Sequence, residues 1–398
     1  MMRIFAALAF ALAAPAIAQV PPRTLPELKE EVQARADRHA YPVSELVPAE
    51  VREALANLKS LDRDEWAAAW SSIGERHMAN ARKAELAEMA SRAEAAKEYK
   101  YAFEYYLFAR FPLENSPGKE KAYARALEAF TGYARLQDPK LEIVKIPFEG
   151  KEIVGYLRLP KGVRPAPIVV TIGGLDGRKE NASFRSDAYL KHDVGYFSFD
   201  MPGTGQSTIR QVVPGAEREF SRVLDYVATR KDIDAKRVVV YGGSWGGHWS
   251  ARVAYAERER IRGAVVQGGP VHEYFQPEWQ KKAITTREYL FELFEARAAI
   301  YGAKTLDEFL AYGPRMSLKT AGWLDRPSAP MLLINGMRDT QVPIEDLFLL
   351  MRSGSPKEVW INPQGGHMGR NPQLSDQRIF ETVTLPWVVR ILQPAASQ

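Results

Sequence analysis

The chain has 398 residues and a net charge of +5, and its 46% hydrophobic and 26% charged content is that of an ordinary globular protein, long enough for one large domain with an attachment or for two. The charge is modest for this length and no run of five or more like charges occurs, which excludes a nucleic-acid groove and a polybasic membrane patch. With no cysteine at all, the chain can hold no disulfide, thiolate metal site, cysteine nucleophile or lipoprotein anchor.

Residues 1–18 read as a cleaved export signal. One arginine precedes an apolar run from Ile4 to Ala18, and the small residues Ala16 and Ala18 suit a signal peptidase that leaves Gln19 first. A run of about 15 residues is short for a membrane-spanning helix. An uncleaved anchor and a buried helix are the alternatives. Export without disulfides points to a secreted or periplasmic protein of a bacterium. Residues 21–28 are proline-rich and read as an extended leader.

From about 29 to 136 the composition shifts to Ala, Glu, Leu and Lys, with apolar residues three and four apart. That spacing predicts four or five amphipathic helices, a helical cap region spanning 19–138. The aromatic stretch "YKYAFEYYLFARF" reads as helix-packing core rather than a ligand pocket. After Pro139 the period becomes two, and "LEIVKIPFEGKEIVGYLRLP" predicts a β-hairpin turning at Glu149-Gly150. Apolar strands then alternate with helices. Strands are expected at 167–174, 195–205, 237–241, 262–270, 330–339 and 358–367, with helices at 182–191, 216–229, 343–352 and 376–393 and a helical, aromatic insertion at 273–324. Continuous apolar strands separated by helices imply a mostly parallel sheet covered on both faces, an α/β domain over 139–398.

Ligands of such a sheet bind at the carboxyl ends of its strands. Three residues of one chemistry follow three of these strands: Ser244 in "GGSWGG", Asp339 in "NGMRDTQVP" and His367 in "NPQGGHMG". Ser244 stands between Gly242 and Gly246, the pattern of a nucleophile elbow, and the chain order Ser, Asp, His is one of the known triad orders. A serine hydroxyl needs an adjacent base, which His367 supplies, and Asp339 fixes the imidazole tautomer. The tetrahedral oxyanion needs two backbone donors, expected from Trp245 and from Leu175 in the loop "GGLDG". Taken singly, Ser244 is also a helix cap, Asp339 a helix cap and His367 a loop histidine.

The stretches "IGGLDGRKE", "FDMPGTGQS", "GGSWGG", "NGMRDTQVP" and "GGHMG" together resemble the α/β-hydrolase fold, and within it the FrsA-like and 2,6-dihydropseudooxynicotine hydrolase-like group that carries a helical N-terminal region. The resemblance covers about residues 60 to 395. It implies a hydrolase of esters or of a carbon–carbon bond beside a carbonyl. Members of the latter kind use a carboxylate of the "GGL" loop on their substrate, a position held here by Asp176, one methylene shorter than the glutamate of the pseudooxynicotine enzyme. A secretion signal is also unlike the cytoplasmic members.

Asp176 and His272, which follows the 262–268 strand, are therefore expectations for substrate contact, with plain structural roles as the alternative. Asp200 reads as a turn former, and His248 and His192 as structural. The six histidines show no ligand spacing, so no metal and no cofactor is expected, and "GTGQST" lacks the third glycine of a dinucleotide loop. The expected partner is a small-molecule substrate, with no nucleic acid and no membrane beyond the export signal. Oligomeric state is illegible, a homodimer being one open alternative. The leading function is a serine hydrolase acting on an ester or similar acyl bond. Hydrolysis of a carbon–carbon bond in a β-diketone-like ketone, a peptidase and a non-catalytic binding protein stand as alternatives.

Overall fold

The computed structural model describes residues 22–86, 92–354 and 356–393; the expected export signal lies outside them. After Pro139 the predicted hairpin forms as β1 (Glu142–Phe148) and β2 (Lys151–Arg158), with Glu149 and Gly150 both at positive φ, as a type I′ turn requires. The remaining strands are β3 (Ala166–Ile172), β4 (Gly195–Phe199), β5 (Ile233–Gly243), β6 (Gly263–Gln267), β7 (Met331–Gly336) and β8 (Lys357–Asn362). They form one eight-stranded sheet in the order β1-β2-β4-β3-β5-β6-β7-β8. β1–β2 and β2–β4 pair antiparallel and every later pair is parallel.

Alternate residues of the central strands feed two different cores. Ile168, Val170, Val238, Val240, Val266 and Leu333 join one with α8 (Arg218–Thr229), α9 (Trp245–Ala256) and α13 (Ile344–Met351). Val169, Val239, Val265 and Leu332 face the other way, against Tyr189 of α7 (Ser186–Leu190) and Trp387 of α15 (Leu385–Ile391). Burial on both faces is why these strands read as unbroken apolar runs.

Among the described residues the N-terminal region holds five helices: α1 (Leu25–Asp37), α2 (Pro48–Asn57), α3 (Arg63–Leu86), α4 (Arg92–Ala109) and α5 (Pro117–Arg135). Its aromatic stretch is indeed packing core, with Tyr99, Phe103, Tyr105, Tyr106, Phe108 and Phe111 all buried. The region does not stand apart. Tyr99, Phe103 and Phe130 share a core with Leu141 and Tyr156 of the sheet domain, while Trp66, Trp70 and Phe108 share another with Leu290. Trp66 meets Phe291 edge-on with ring centroids 4.8 Å apart.

Two helices expected as single pieces are broken. Residues 182–191 divide into α6 (Lys179–Ser183) and α7, and the last helix is α14 (Asp376–Ile379) followed by a π-type turn at Phe380–Thr384 before α15. The insertion contains α10 (Pro277–Ala283), α11 (Leu293–Tyr301) and α12 (Leu306–Tyr312), and the non-helical stretch 284–292 separates α10 from α11.

Candidate active site

β5 ends at Gly243, α9 starts at Trp245, and Ser244 forms the whole connection with φ 54° and ψ −124°. A non-glycine residue held there stores on the order of 1–3 kcal/mol of strain. The surrounding bonds hold it in place: the Ser244 N–H donates to the Gln267 carbonyl at 2.8 Å, and the Ser244 carbonyl accepts from Gly247 at 2.8 Å. The flanking glycines are required by close approach. A Cβ on Gly242 would stand 1.9 Å from the Gly246 carbonyl oxygen, and one on Gly246 would stand 2.5 Å from that of Ile172.

The two other strand-end residues come to this serine. His367 Nε2 lies 2.9 Å from Ser244 Oγ, and His367 Nδ1 lies 2.8 Å from Asp339 Oδ2. A carboxylate only accepts, so Nδ1 carries the proton and Nε2 is left to accept from the serine. The second Asp339 oxygen accepts the N–H groups of Gln341 at 2.7 Å and Val342 at 2.9 Å, which fixes the carboxylate's direction. Both side chains are shielded, with exposures of 10% for His367 and 0% for Asp339. Low polarity strengthens each of these bonds.

Of the two expected oxyanion donors, Trp245 directly follows Ser244 and Leu175 follows Gly174, which packs against Ser244. Trp245 is the first residue of α9, so its N–H has no partner within the helix. Its indole is locked by donating to Tyr274 Oη at 2.9 Å. Leu175 belongs to the loop after β3, whose Gly174 lies so close that a Cβ there would be 3.0 Å from Ser244 Cβ. The carbonyls of this loop are gripped from outside. Arg178 Nη1 donates to Gly177 at 2.8 Å and Leu175 at 3.4 Å, and Arg110, at the end of α4, donates to the Asp176 carbonyl. Glu114 bridges the two guanidinium groups, 2.8 Å from Arg178 and 3.7 Å from Arg110. Burial, together with the nearby Arg178 charge, lowers the Arg110 pKa to about 10.

Beside this loop lies a cavity of about 450 Å³ at the carboxyl ends of β3 and β4, bounded by Leu113, Tyr123, Leu175, Arg178, Thr204 and Ile300. It sits between the helical region and α11, and its lining residue Leu175 directly follows Gly174, which packs against Ser244.

The two residues expected to contact substrate each have a partner within the protein. The Asp176 carboxylate accepts from the Tyr289 hydroxyl at 2.8 Å, and burial raises its pKa. His272 Nδ1 is 2.7 Å from Ser317 Oγ and 3.3 Å from Gln276, and burial lowers its pKa. Its side chain sits where the chain leaves β6 for a turn whose N–H groups converge on buried Asp346. Asp200 is a turn former, accepting from the Lys179 N–H, the Lys179 ammonium and the Gln206 N–H at 2.8 to 2.9 Å. His248 is wholly buried and bonded to the Pro270 carbonyl, and burial drives its pKa down to about 3, so it stays neutral. His192 is exposed. Glu288, Tyr289 and Arg110, which touch the site's loops, carry no local sequence signal that would have found them.

A family model described as esterase FrsA-like matches residues 49–363. An Esterase FrsA of Vibrio cholerae serotype O1 is 27% identical over 304 residues, which is 74% of this chain and 70% of that protein. The alpha/beta hydrolase ucsC of Acremonium sp is 28% identical over 266 residues, 58% of this chain and 53% of that one. The structure of a 2,6-dihydroxy-pseudo-oxynicotine hydrolase superposes with a TM-score of 0.75 at 20% identity, covering 90% of this chain and 95% of that one. At that identity the last likeness is one of fold, and it includes the helical N-terminal region.

Proposed function

The chain belongs to the FrsA-like esterase family, and we propose that it is a serine hydrolase that cleaves an ester or similar acyl bond of a small, partly apolar substrate through an acyl-enzyme. The observation that carries this reading is the unbroken relay Ser244 Oγ–His367 Nε2–His367 Nδ1–Asp339 Oδ2, with bonds of 2.9 and 2.8 Å. Ser244 Oγ attacks the acyl carbon while His367 takes its proton. The oxyanion forms toward the N–H groups of Trp245 and Leu175, and collapse returns the proton from His367 to the leaving alcohol. Water then enters by the same route in reverse, activated by His367, and releases the acid. Asp339 holds the reactive tautomer and stabilises the imidazolium without taking a proton itself.

A small, partly apolar substrate is supported by the cavity of about 450 Å³ beside the Leu175 loop, lined partly by Leu113 and Ile300. The ester reading is favoured by the match to the esterase FrsA-like family; Asp176, whose Oδ2 accepts from the Tyr289 hydroxyl, keeps further acceptor capacity, so carbon–carbon bond hydrolysis stands as the second reading. Export through residues 1–18 forms part of the proposal, checked by sequencing the amino terminus of the protein recovered from a periplasmic fraction. The function is tested with a fluorophosphonate probe followed by peptide mapping, beside a panel of p-nitrophenyl esters, vinylogous ketones and peptide amides. Labelling at Ser244 with turnover of short esters is the expected result; turnover confined to ketones or amides would overturn the bond assignment.

A further inference from the structure

One acidic side chain outside the relay touches both of its loops. Glu288 lies in the non-helical stretch between α10 and α11. Its Oε1 accepts the main-chain N–H of His367 at 2.9 Å, and its Oε2 accepts the main-chain N–H of Thr340 at 3.3 Å together with the Thr340 hydroxyl. Thr340 directly follows Asp339. A single carboxylate therefore ties the residue beside the relay's acid to the residue that bears its imidazole. The stretch is in turn held by its own carbonyls from the N-terminal helices. Arg35 of α1 donates to Glu288 O at 2.9 Å, and Arg23, just ahead of α1, donates to Tyr289 O at 2.9 Å and Leu290 O at 2.6 Å.

We infer that Glu288 is a positioning residue for His367, and that the helical parts of the chain bear on catalysis through it. The inference rests on the serine-hydrolase reading above. The need for such a tie follows from the loop itself. His367 follows Gly365 and Gly366, which restrict the backbone least, and precedes Met368, held at φ 63° with its N–H on Asn335 Oδ1 at 3.0 Å; the Glu288 bond fixes the His367 N–H between them. A displacement of about 1 Å between nucleophile and base can cost on the order of a hundredfold in rate. Bonds from N–H groups to a carboxylate are charge-assisted and short, and two of them to separate loops fix the spacing of those loops. Both Glu288 oxygens are spent on these donors, so the side chain acts through His367 and Thr340 and not on substrate.

The test uses the full-length protein with Glu288→Ala, Glu288→Gln and Thr340→Val, measuring kcat and KM on p-nitrophenyl acetate, the rate of fluorophosphonate labelling and Tm. Glu288→Ala is expected to lower kcat about 10- to 100-fold with KM moving less than about threefold, and to slow labelling in step, because both reactions need the imidazole in place. Glu288→Gln keeps a carbonyl oxygen for the His367 N–H and should recover most of the loss. A folded Glu288→Ala protein with unchanged kcat, an effect confined to KM, or a Gln variant no better than Ala overturns the inference. Should the Ala variant not fold, Thr340→Val carries the comparison, and unchanged kcat in that protein overturns the inference. A wild type that does not label at Ser244 instead overturns the hydrolase reading and this inference with it, whereas equal labelling of wild type and Glu288→Ala overturns this inference alone.

Discussion

His367 Nε2 stands 2.9 Å from the hydroxyl oxygen of Ser244, across 123 residues of chain and from the far side of β7. The parallel sheet makes this meeting possible, because it delivers the ends of β5, β7 and β8 to one edge. The mechanism stands or falls on that hydrogen bond.

Ser244→Ala should abolish ester turnover, by roughly a thousandfold or more, while leaving the fold intact. Removing the hydroxyl takes nothing from the core. Circular dichroism and Tm are expected to match the parent, and p-nitrophenyl ester hydrolysis should drop to the level of background. Substantial turnover by a well-folded variant would sink the assignment.

Asp339→Asn should be far more damaging than Asp176→Asn on a small activated ester. An amide at 339 turns a donor toward Nδ1 and favours the wrong imidazole tautomer, a loss of about 10³- to 10⁴-fold in kcat. Asp176→Asn keeps an oxygen for the Tyr289 hydroxyl and should cost less than about tenfold. Steady-state kinetics on the two variants decide it, and the opposite ranking would exchange the roles.

Residues 138–398 expressed without the N-terminal helices should be insoluble or should lose activity on the best small substrate. Truncation uncovers Leu141 and Tyr156 on one side and Leu290 on the other, and it removes Arg35 and Arg110 from the loops they hold. A soluble fragment with unchanged kinetics and size selectivity would show the helices to be an accessory unit.

Glu219→Gln should flatten the loss of stability between about pH 5 and pH 8. Burial raises the Glu219 carboxyl to about 7, against the donors Ser207 and Thr208 that favour its ionised form. The folded state thus holds this proton more tightly than the unfolded chain does. Its contribution is complete below the unfolded value near 4.5 and is lost as pH rises through about 7. The wild type should give up about 3 kcal/mol across that interval from this group alone. Tm measured at pH 5 and pH 8 should differ less in the variant; an identical difference would show that Glu219 does not titrate there.

Much of this protein is written locally. Ser244 could be found because an elbow demands glycine at 242 and 246, where a Cβ would collide with backbone, Asp339 because it follows the buried apolar run of β7, and His367 because it follows the short, half-exposed strand β8. The hairpin at Glu149-Gly150 was legible for the same reason: its backbone conformation and its residue types are set within a few positions. What tertiary structure decided is which side chains meet across the strand ends. Asp176 and His272 follow their strands, and only the packed structure shows that one meets Tyr289 and the other Ser317. Glu288 lies 79 residues from the histidine whose N–H it holds, and Arg35 lies 253 residues from the carbonyl that it grips. Periodicity reports which face of an element is buried. It carries no information on the path of the loops that bring two distant side chains within 3 Å, because that path is fixed only when the separate cores pack against one another.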